Sequence, residues 1–220
     1  MDGTANMGEP AIYDGELAGL VERARRLAGS ARRRILGICG APGAGKSSLA
    51  EALRAALGSE AALVPMDGFH LANSELLRLG RRDRKGAIDT FDGAGYVALI
   101  RRLCAADEPV VYAPEFRREI EEPIAGAIAI PRDVPLVITE GNYLLVDAEP
   151  WNALAGLLDQ TWYLDPPEQV RQERLIARHI AFGKPRDVAR SWSLGPDQRN
   201  AELIAATRPA ADLIITNIDL

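Results

Sequence analysis

The most chemically specific run in the chain is Gly40-Ala41-Pro42-Gly43-Ala44-Gly45-Lys46-Ser47, which satisfies G-x-x-x-x-G-K-[ST] between an apolar run and a helical pattern. Gly40 and Ala41 open the loop. The glycines let the backbone fold into a concave nest, so the N–H groups from Gly43 and Ala44 through Gly45, Lys46 and Ser47 converge on phosphate oxygens at a helix N-terminus. Lys46 supplies a point charge for the β and γ phosphates, Ser47 a hydroxyl for Mg²⁺, and Ser48 a further contact at the α phosphate. A glycine-rich turn that merely caps a helix is the competing explanation. Chance would produce the pattern on the order of once per thousand chains of this composition. One of only three lysines, Lys46, Lys85 and Lys184, also stands at its single informative position. The run is therefore read as a nucleoside triphosphate site.

Two carboxylates join it. Met66-Asp67-Gly68-Phe69-His70 follows a second apolar run and puts Asp67 at the carboxyl edge of a parallel sheet, where ligands collect in doubly wound folds. Asp67 can there accept the proton of an attacking hydroxyl or hold Mg²⁺ through water. A later apolar run ends in Glu140-Gly141-Asn142-Tyr143. Glu140 fits a metal-side carboxylate that, with Ser47, leaves water and phosphate oxygens to complete an octahedron around Mg²⁺. Blander readings make Asp67 a helix cap and Glu140 a buried acid satisfied by backbone. Of the two histidines, His70 beside Asp67 is suited to bond an acceptor hydroxyl, whereas His179 reads as a packed or capping residue. Trp151, Trp162 and Trp192 read as core or helix anchors.

The elements that must position these groups alternate between short apolar runs and helical stretches, the signature of βαβ units. Strands are expected at 35–39, 63–66, 136–139, 161–164 and 213–216, each bounded by Gly, Pro, Asp or Asn. Helices are expected at 46–57, 95–105, 167–182 and 197–207, and a short extra edge strand at 110–112, curtailed by Pro109 and Pro114. Residues 1–12 read as loose, with Asp14 capping a helix through about Leu27 whose basic face is solvated. The expected architecture is one α/β domain over 1–220, with 1–33 a helical extension and about 167–195 a lid region.

Composition narrows the function classes. With 47% hydrophobic and 26% charged residues over 220 positions, disorder, collagen-like repetition and a disulfide scaffold are excluded. A net charge of -5 disfavours generic nucleic-acid binding. Cys39 and Cys104 form no metal-ligand spacing with the histidines, so a structural zinc is not expected. No stretch of about eighteen apolar residues and no leader-like start occurs, so the expectation is a soluble, cytoplasmic protein without membrane contact.

Taken together, the phosphate loop, Met66-Asp67-Gly68-Phe69-His70, Gly86-Ala87-Ile88-Asp89-Thr90-Phe91-Asp92, Tyr112-Ala113-Pro114-Glu115-Phe116 and Thr139-Glu140-Gly141-Asn142-Tyr143 resemble a known group. It is the P-loop kinase family of uridine kinases, phosphoribulokinases and type I pantothenate kinases. The branch most similar is that of bacterial proteins labelled nucleoside/nucleotide kinase or fructose transport system kinase. The resemblance runs from about Arg34 to the C-terminus. It implies a three-layer α/β/α P-loop NTPase fold with a five-stranded parallel sheet in the order 2-3-1-4-5 and a helical lid. It also implies transfer of the ATP γ-phosphoryl group, with Mg²⁺, to a hydroxyl of a small metabolite. Asp67 lands on the family's proton-accepting or substrate-orienting Asp and Glu140 on the acid after a central strand. Phe69, His70, Asp89, Tyr112, Phe116, Arg118 and Tyr143 fall on acceptor-side segments. Where the nearest branch has Asp followed by Arg, this chain has Arg117-Arg118, which leaves the role of Arg117 open.

The lid follows from charge placement. Arg171, Arg174 and Arg178 share one helix face, and Gly183 breaks the helix just beyond. Arg174 and Arg178 are suited to close over the phosphates and to offset charge in the transition state, with Arg171 and Lys184 open as further contacts. Glu173 permits a plain surface ion pair instead. The leading expectation is thus an ATP- and Mg²⁺-dependent kinase of a sugar, nucleoside or pantothenate-like alcohol, with homodimerisation left open. The alternatives are a regulatory or switch-type NTPase without an acceptor, and a homologue that binds ATP without transfer. Asp92-Gly93-Ala94-Gly95 only superficially imitates a switch motif, and no Asn-Lys-x-Asp guanine reader is present.

Overall fold

The computed structural model describes residues 9–183 and 185–218. Strand β1 (Ala11–Asp14) leads into helix α1 (Leu17–Ala28), then β2 (Arg34–Gly40), α2 (Lys46–Leu57) and β3 (Ala61–Pro65). There follow α3 (Asn73–Arg78), α4 (Gly93–Ala105) and the hairpin strands β4 (Val110–Arg117) and β5 (Glu122–Pro131). The chain ends with β6 (Leu136–Glu140), β7 (Gln160–Leu164), α5 (Glu168–Ala181), α6 (Arg186–Leu194), α7 (Pro196–Ala205) and β8 (Leu213–Asn217). Six strands form one parallel sheet in the order β1-β8-β7-β2-β6-β3.

Side-chain alternation explains why this sheet is covered on both faces. Ile35 and Cys39 of β2 point into a core with Tyr96 and Ile100 of α4, Trp151 and Ile204 of α7. Leu36 and Ile38 point the other way, onto Leu20 of α1, Leu49 and Leu53 of α2 and Trp162. Every residue of β6 is buried, as a central parallel strand requires. Among the described residues no helix is long and apolar enough to cross a membrane.

The α/β class and the order of the five expected strands hold, and the differences lie at the margins. A sixth strand, β1, occupies residues expected to be loose or to begin a helix, pairing Ile12 with Ile214 at the sheet edge. Asp14 therefore ends a strand and does not cap α1, whose N-cap position is Glu16. The run at 110–112 is not an edge strand of the main sheet. It continues through Pro114, with a register shift between Ala113 and Glu115, and pairs antiparallel with β5. Proline interrupts one ladder step without ending the strand. Helices α3 and α6, of six and nine residues, were not among the expected helices.

The junction of the hairpin with the sheet is tied by a buried cation. Arg33 donates to the carbonyls of Leu103, Pro131 and Val134 at 3.2, 2.5 and 3.0 Å, and is only 6% exposed. Replacing it removes three charge-assisted bonds and leaves buried carbonyls unpaired. Arg33→Met should cost about 3 kcal/mol and lower Tm by roughly 6–12 °C in thermal denaturation. A loss below about 1 kcal/mol would show the junction does not depend on it.

Candidate active site

The phosphate loop hangs from the end of β2, beside β6 and β7. Gly45 caps α2 in the left-handed region at φ 101°, and Gly43 sits at φ 85°. At Gly43 an added Cβ would lie 2.5 Å from the Arg171 carbonyl oxygen, so the loop packs directly on helix α5. Lys46 begins α2 with its side chain buried and its Nζ donating to the Ala41 carbonyl at 3.2 Å. Burial pulls its pKa down, opposed by the nearby Glu140 charge. The lysine thus waits behind the loop, held by one weak partner that a phosphate can replace.

Parallel register sets the carboxylates. Glu140 pairs with Ile38 of β2 on one side and Pro65 of β3 on the other, so its side chain emerges between the phosphate loop and the Asp67 turn. The Ser47 hydroxyl donates to Glu140 Oε1 at 3.2 Å. Burial, helped by the charge of Asp67, pushes the Glu140 carboxyl up to about 7, while Lys46, Ser47 and Arg118 pull the other way. A buried acid that is costly to ionise beside a serine hydroxyl is a donor set suited to a hard divalent cation. Among the described residues no three of His, Cys, Asp and Glu converge into a preformed metal cage. The oxygens of a bound phosphate are then needed to complete such a site.

Opposite the loop lies a cleft of about 440 Å³, lined on the phosphate side by Lys46, Ser47 and Glu140 and on the far side by Asp67, His70, Phe116 and Arg118. Asp67 sits on a single 3-10 turn, Met66–Phe69. The hairpin presses on that turn, since a Cβ at Gly68 would fall 2.4 Å from the Pro114 carbonyl oxygen. His70 is packed between Phe91 and Phe116, with ring centroids 4.0 and 4.8 Å away. Its Nδ1 lies 2.8 Å from the Asp67 carbonyl, which only accepts, so Nδ1 carries the proton and Nε2 the free lone pair. Burial lowers the pKa of His70 against the pull of Asp67, which keeps the ring neutral. Arg118 Nη2 donates to Asp67 Oδ2 at 3.2 Å, and its guanidinium lies between the rings of Phe116 and Phe182, 5.8 and 5.7 Å from their centroids.

Several expected site residues stand elsewhere. Tyr143 is fully buried against Phe91 and Trp151, and its hydroxyl donates to the Gly86 carbonyl at 2.6 Å, so it holds a loop and does not line the cleft. Phe69 packs edge-on against Tyr96 in the core. Asp89 is taken up by Arg81 and Arg84 of its own loop. Tyr112 points outward from the hairpin, 58% exposed. Arg117 is exposed and bonded to Glu115. On α5, Arg178 lines the cleft whereas Arg174 is exposed outside it. Arg171 is buried, donating to the Pro42 carbonyl at 2.8 Å and pairing with Glu168 and Gln198, which makes it a brace for the loop. Ser48 is exposed one residue beyond Ser47, and Lys184 lies outside the described residues. Trp192, expected to be an anchor, lines the cleft, as does His179, which bonds Asp197 at 2.7 Å. Arg82, Lys85, Phe182 and Asn200 also line it without having been singled out. The basic run Arg81-Arg82-Asp83-Arg84-Lys85 ahead of Gly86 was the available signal for two of them.

No family model matches the chain. Individual relatives do. The protein YggC of Escherichia coli strain K12 is 35% identical over 189 residues, covering 84% of this chain and 78% of that one. The ATP-dependent kinase-like protein notR' of Aspergillus versicolor is 33% identical over 162 residues, 69% of this chain and 94% of that one. A crystal structure from Silicibacter sp. TM1040, whose provisional name is fructose transport system kinase, superposes with a TM-score of 0.83 at 37% identity, covering 91% of this chain and 99% of that one. With the phosphate loop, the two carboxylates and helix α5 arranged around one cleft, these similarities establish that the chain belongs to the ATP-dependent P-loop kinases, in the family that includes uridine and pantothenate kinases.

Proposed function

We propose that this protein transfers the γ-phosphoryl group of ATP to a hydroxyl of a small metabolite, with Asp67 as the proton acceptor. The observation that carries the reading is the shared cleft: Lys46, Ser47 and Glu140 on one wall and Asp67 and His70 on the other, with about 440 Å³ between and around them. A switch-type NTPase needs a water there, not a chamber of that size.

In this reading the main-chain amides of the loop and Lys46 hold the triphosphate and position its outer phosphorus toward Asp67. The acceptor oxygen forms a bond to phosphorus as the bond from phosphorus to the β-bridging oxygen breaks. ADP leaves with that electron pair, and the hydroxyl proton passes to Asp67. Neutral His70 offers Nε2 as an acceptor for a second substrate hydroxyl. Arg178 on the lid helix supplies positive charge for the equatorial oxygens. Ser47 and Glu140 would hold Mg²⁺, which when bound neutralises phosphate charge. Most of the rate then comes from positioning and electrostatics.

Two experiments test this. The first concerns Glu140. Its folded-state pKa, about 7, lies above its usual 4.5, so between those values the folded chain holds a proton that the unfolded chain has lost. Stability should therefore fall as pH rises through that window. Without metal, Glu140→Gln should match the parent near pH 4.5 and exceed it at pH 8, on the order of 2 kcal/mol, in chemical denaturation. Added Mg²⁺ with nucleotide should stabilise the parent more than the variant. The second concerns Asp67. Asp67→Asn should lower transfer about 10²–10⁴-fold while ATP affinity stays within roughly twofold. Loss of nucleotide binding with the fold intact would move Asp67 from proton acceptor to the metal side.

A further inference from the structure

Charge in the cleft is uneven once existing partners are counted. Its outer part carries Arg82, Lys85, Arg118 and Arg178 against Asp67, Glu121 and Asp197. Asp197 is engaged by His179 at 2.7 Å. Lys85 Nζ donates to Asn73 Oδ1 at 2.8 Å and to the Glu121 carbonyl, and lies 5.0 Å from the centroid of the Phe116 ring, all of them uncharged partners. Among the described residues the side chains of Arg82 and Arg178 make no hydrogen bond and no ion pair, although Asp197, Asp67 and Glu140 lie near enough to Arg178 to act on its charge. Even if Arg178 serves the transferring phosphoryl group, Arg82, Lys85 and Arg118 remain with a single ion pair among them, from Arg118 to Asp67.

That one ion pair matters most, because its carboxylate is the group that must take the acceptor proton. A hydroxyl approaching Asp67 meets the Arg118 guanidinium already on Oδ2, one of the two oxygens it could use. A neutral acceptor that displaces the guanidinium returns it only to water, to which Arg118 is 40% exposed. An anion offers it a planar, bidentate partner instead. We propose that the acceptor carries an anionic group, a carboxylate or a phosphate ester, and that this group draws Arg118 off Asp67 as it binds, so that recognition of the substrate and release of the base are one event. This rests on the kinase reading above and names the acceptor class for the same site. Arg82 and Lys85 line the same end and add attraction for that group.

The test uses matched acceptors: glycerate against glycerol for the carboxylate arm, ribose 5-phosphate against ribose for the phosphate arm, and uridine as a further neutral alcohol. Binding is measured by calorimetry with Mg²⁺ and a non-hydrolysable ATP analogue present, and phosphorylation with MgATP. The expected result is that the anionic member of at least one pair binds and is phosphorylated with kcat/KM at least a hundredfold above its neutral partner. The responding arm identifies the anion. Arg118→Met should raise KM for that acceptor ten- to a hundredfold, and Arg118→Lys should recover part of the loss. Affinity for the ATP analogue should change less than threefold in both variants, which separates a local effect from misfolding. Preference for a neutral acceptor overturns this inference and leaves the kinase reading standing. Binding of an anion that depends on Arg118 without any phosphorylation upholds the anion site and overturns the kinase reading. Failure of every anionic member to bind, or indifference of the preferred one to Arg118, overturns the inference.

Discussion

The whole site depends on a single alignment, that of β6 between β2 and β3. Because Glu140 is level with both Ile38 and Pro65, three strands deliver their carboxyl ends to one line. The phosphate loop leaves the first, Glu140 ends the second, and the turn bearing Asp67 leaves the third. A one-residue slip of β6 would turn Glu140 into the opposite core and separate it from Ser47. Such a slip is resisted because β6 is buried throughout, with Val137 in one core and Leu136 and Ile138 in the other. The chemistry is therefore specified by the same packing that stabilises the sheet, and the active-site spacing needs no long loop to maintain it.

Helix α5 is anchored at its beginning and open at its end. Arg171 is 3% exposed, bonded to the Pro42 carbonyl, and its own carbonyl lies against Gly43 so closely that no side chain would fit there. The beginning of α5 is thus part of the wall of the nucleotide site. Two turns later Arg178, and just past the helix Phe182, reach the Asp67 side of the cleft, where Phe182 meets Arg118 of the hairpin turn. One helix consequently spans both halves of the cleft, and any rotation about its braced end moves Arg178 and Phe182 together relative to Asp67.

Legibility in the sequence followed how local the determining interaction is. The order of the five central strands came only through the family resemblance, while the phosphate loop and the strands themselves were readable, because each rests on a short motif or on an apolar run bounded by turn residues. The acceptor side was not. Tyr143 and Phe69 are large and lie within three residues of Glu140 and Asp67 in the chain, yet each turns into the core, where burial of an aromatic ring outweighs exposure at the cleft. Asp89 was lost to arginines of its own loop, and Tyr112 to a hairpin that lies off the main sheet. The β5 strand, with four successive exposed residues beginning at Ile124, lacked the alternation that marks a half-buried strand, so its register with β4 could not be read in advance. Arg171 shows the opposite failure: its spacing with Arg174 and Arg178 was right, but helical phase alone does not say which turn is covered.

Two acids face one cleft, and their surroundings divide the labour between them. Glu140 is enclosed, its charge disfavoured by burial and offset by Lys46, so a cation and phosphate oxygens are what it lacks. Asp67 is 31% exposed and touched by an arginine that is itself 40% exposed. Pairs so open to water are held by about 0.2–1 kcal/mol, far less than a buried pair costs to break. The contact with Arg118 is therefore weak enough to be exchanged, whereas the Glu140 carboxyl is enclosed and bonded by the Ser47 hydroxyl. A carboxylate meant to receive a proton must be released within a catalytic cycle, and one meant to hold a cation must stay put. The difference in burial arises from the fold alone, since Glu140 ends a central strand and Asp67 sits on a turn at the sheet's margin.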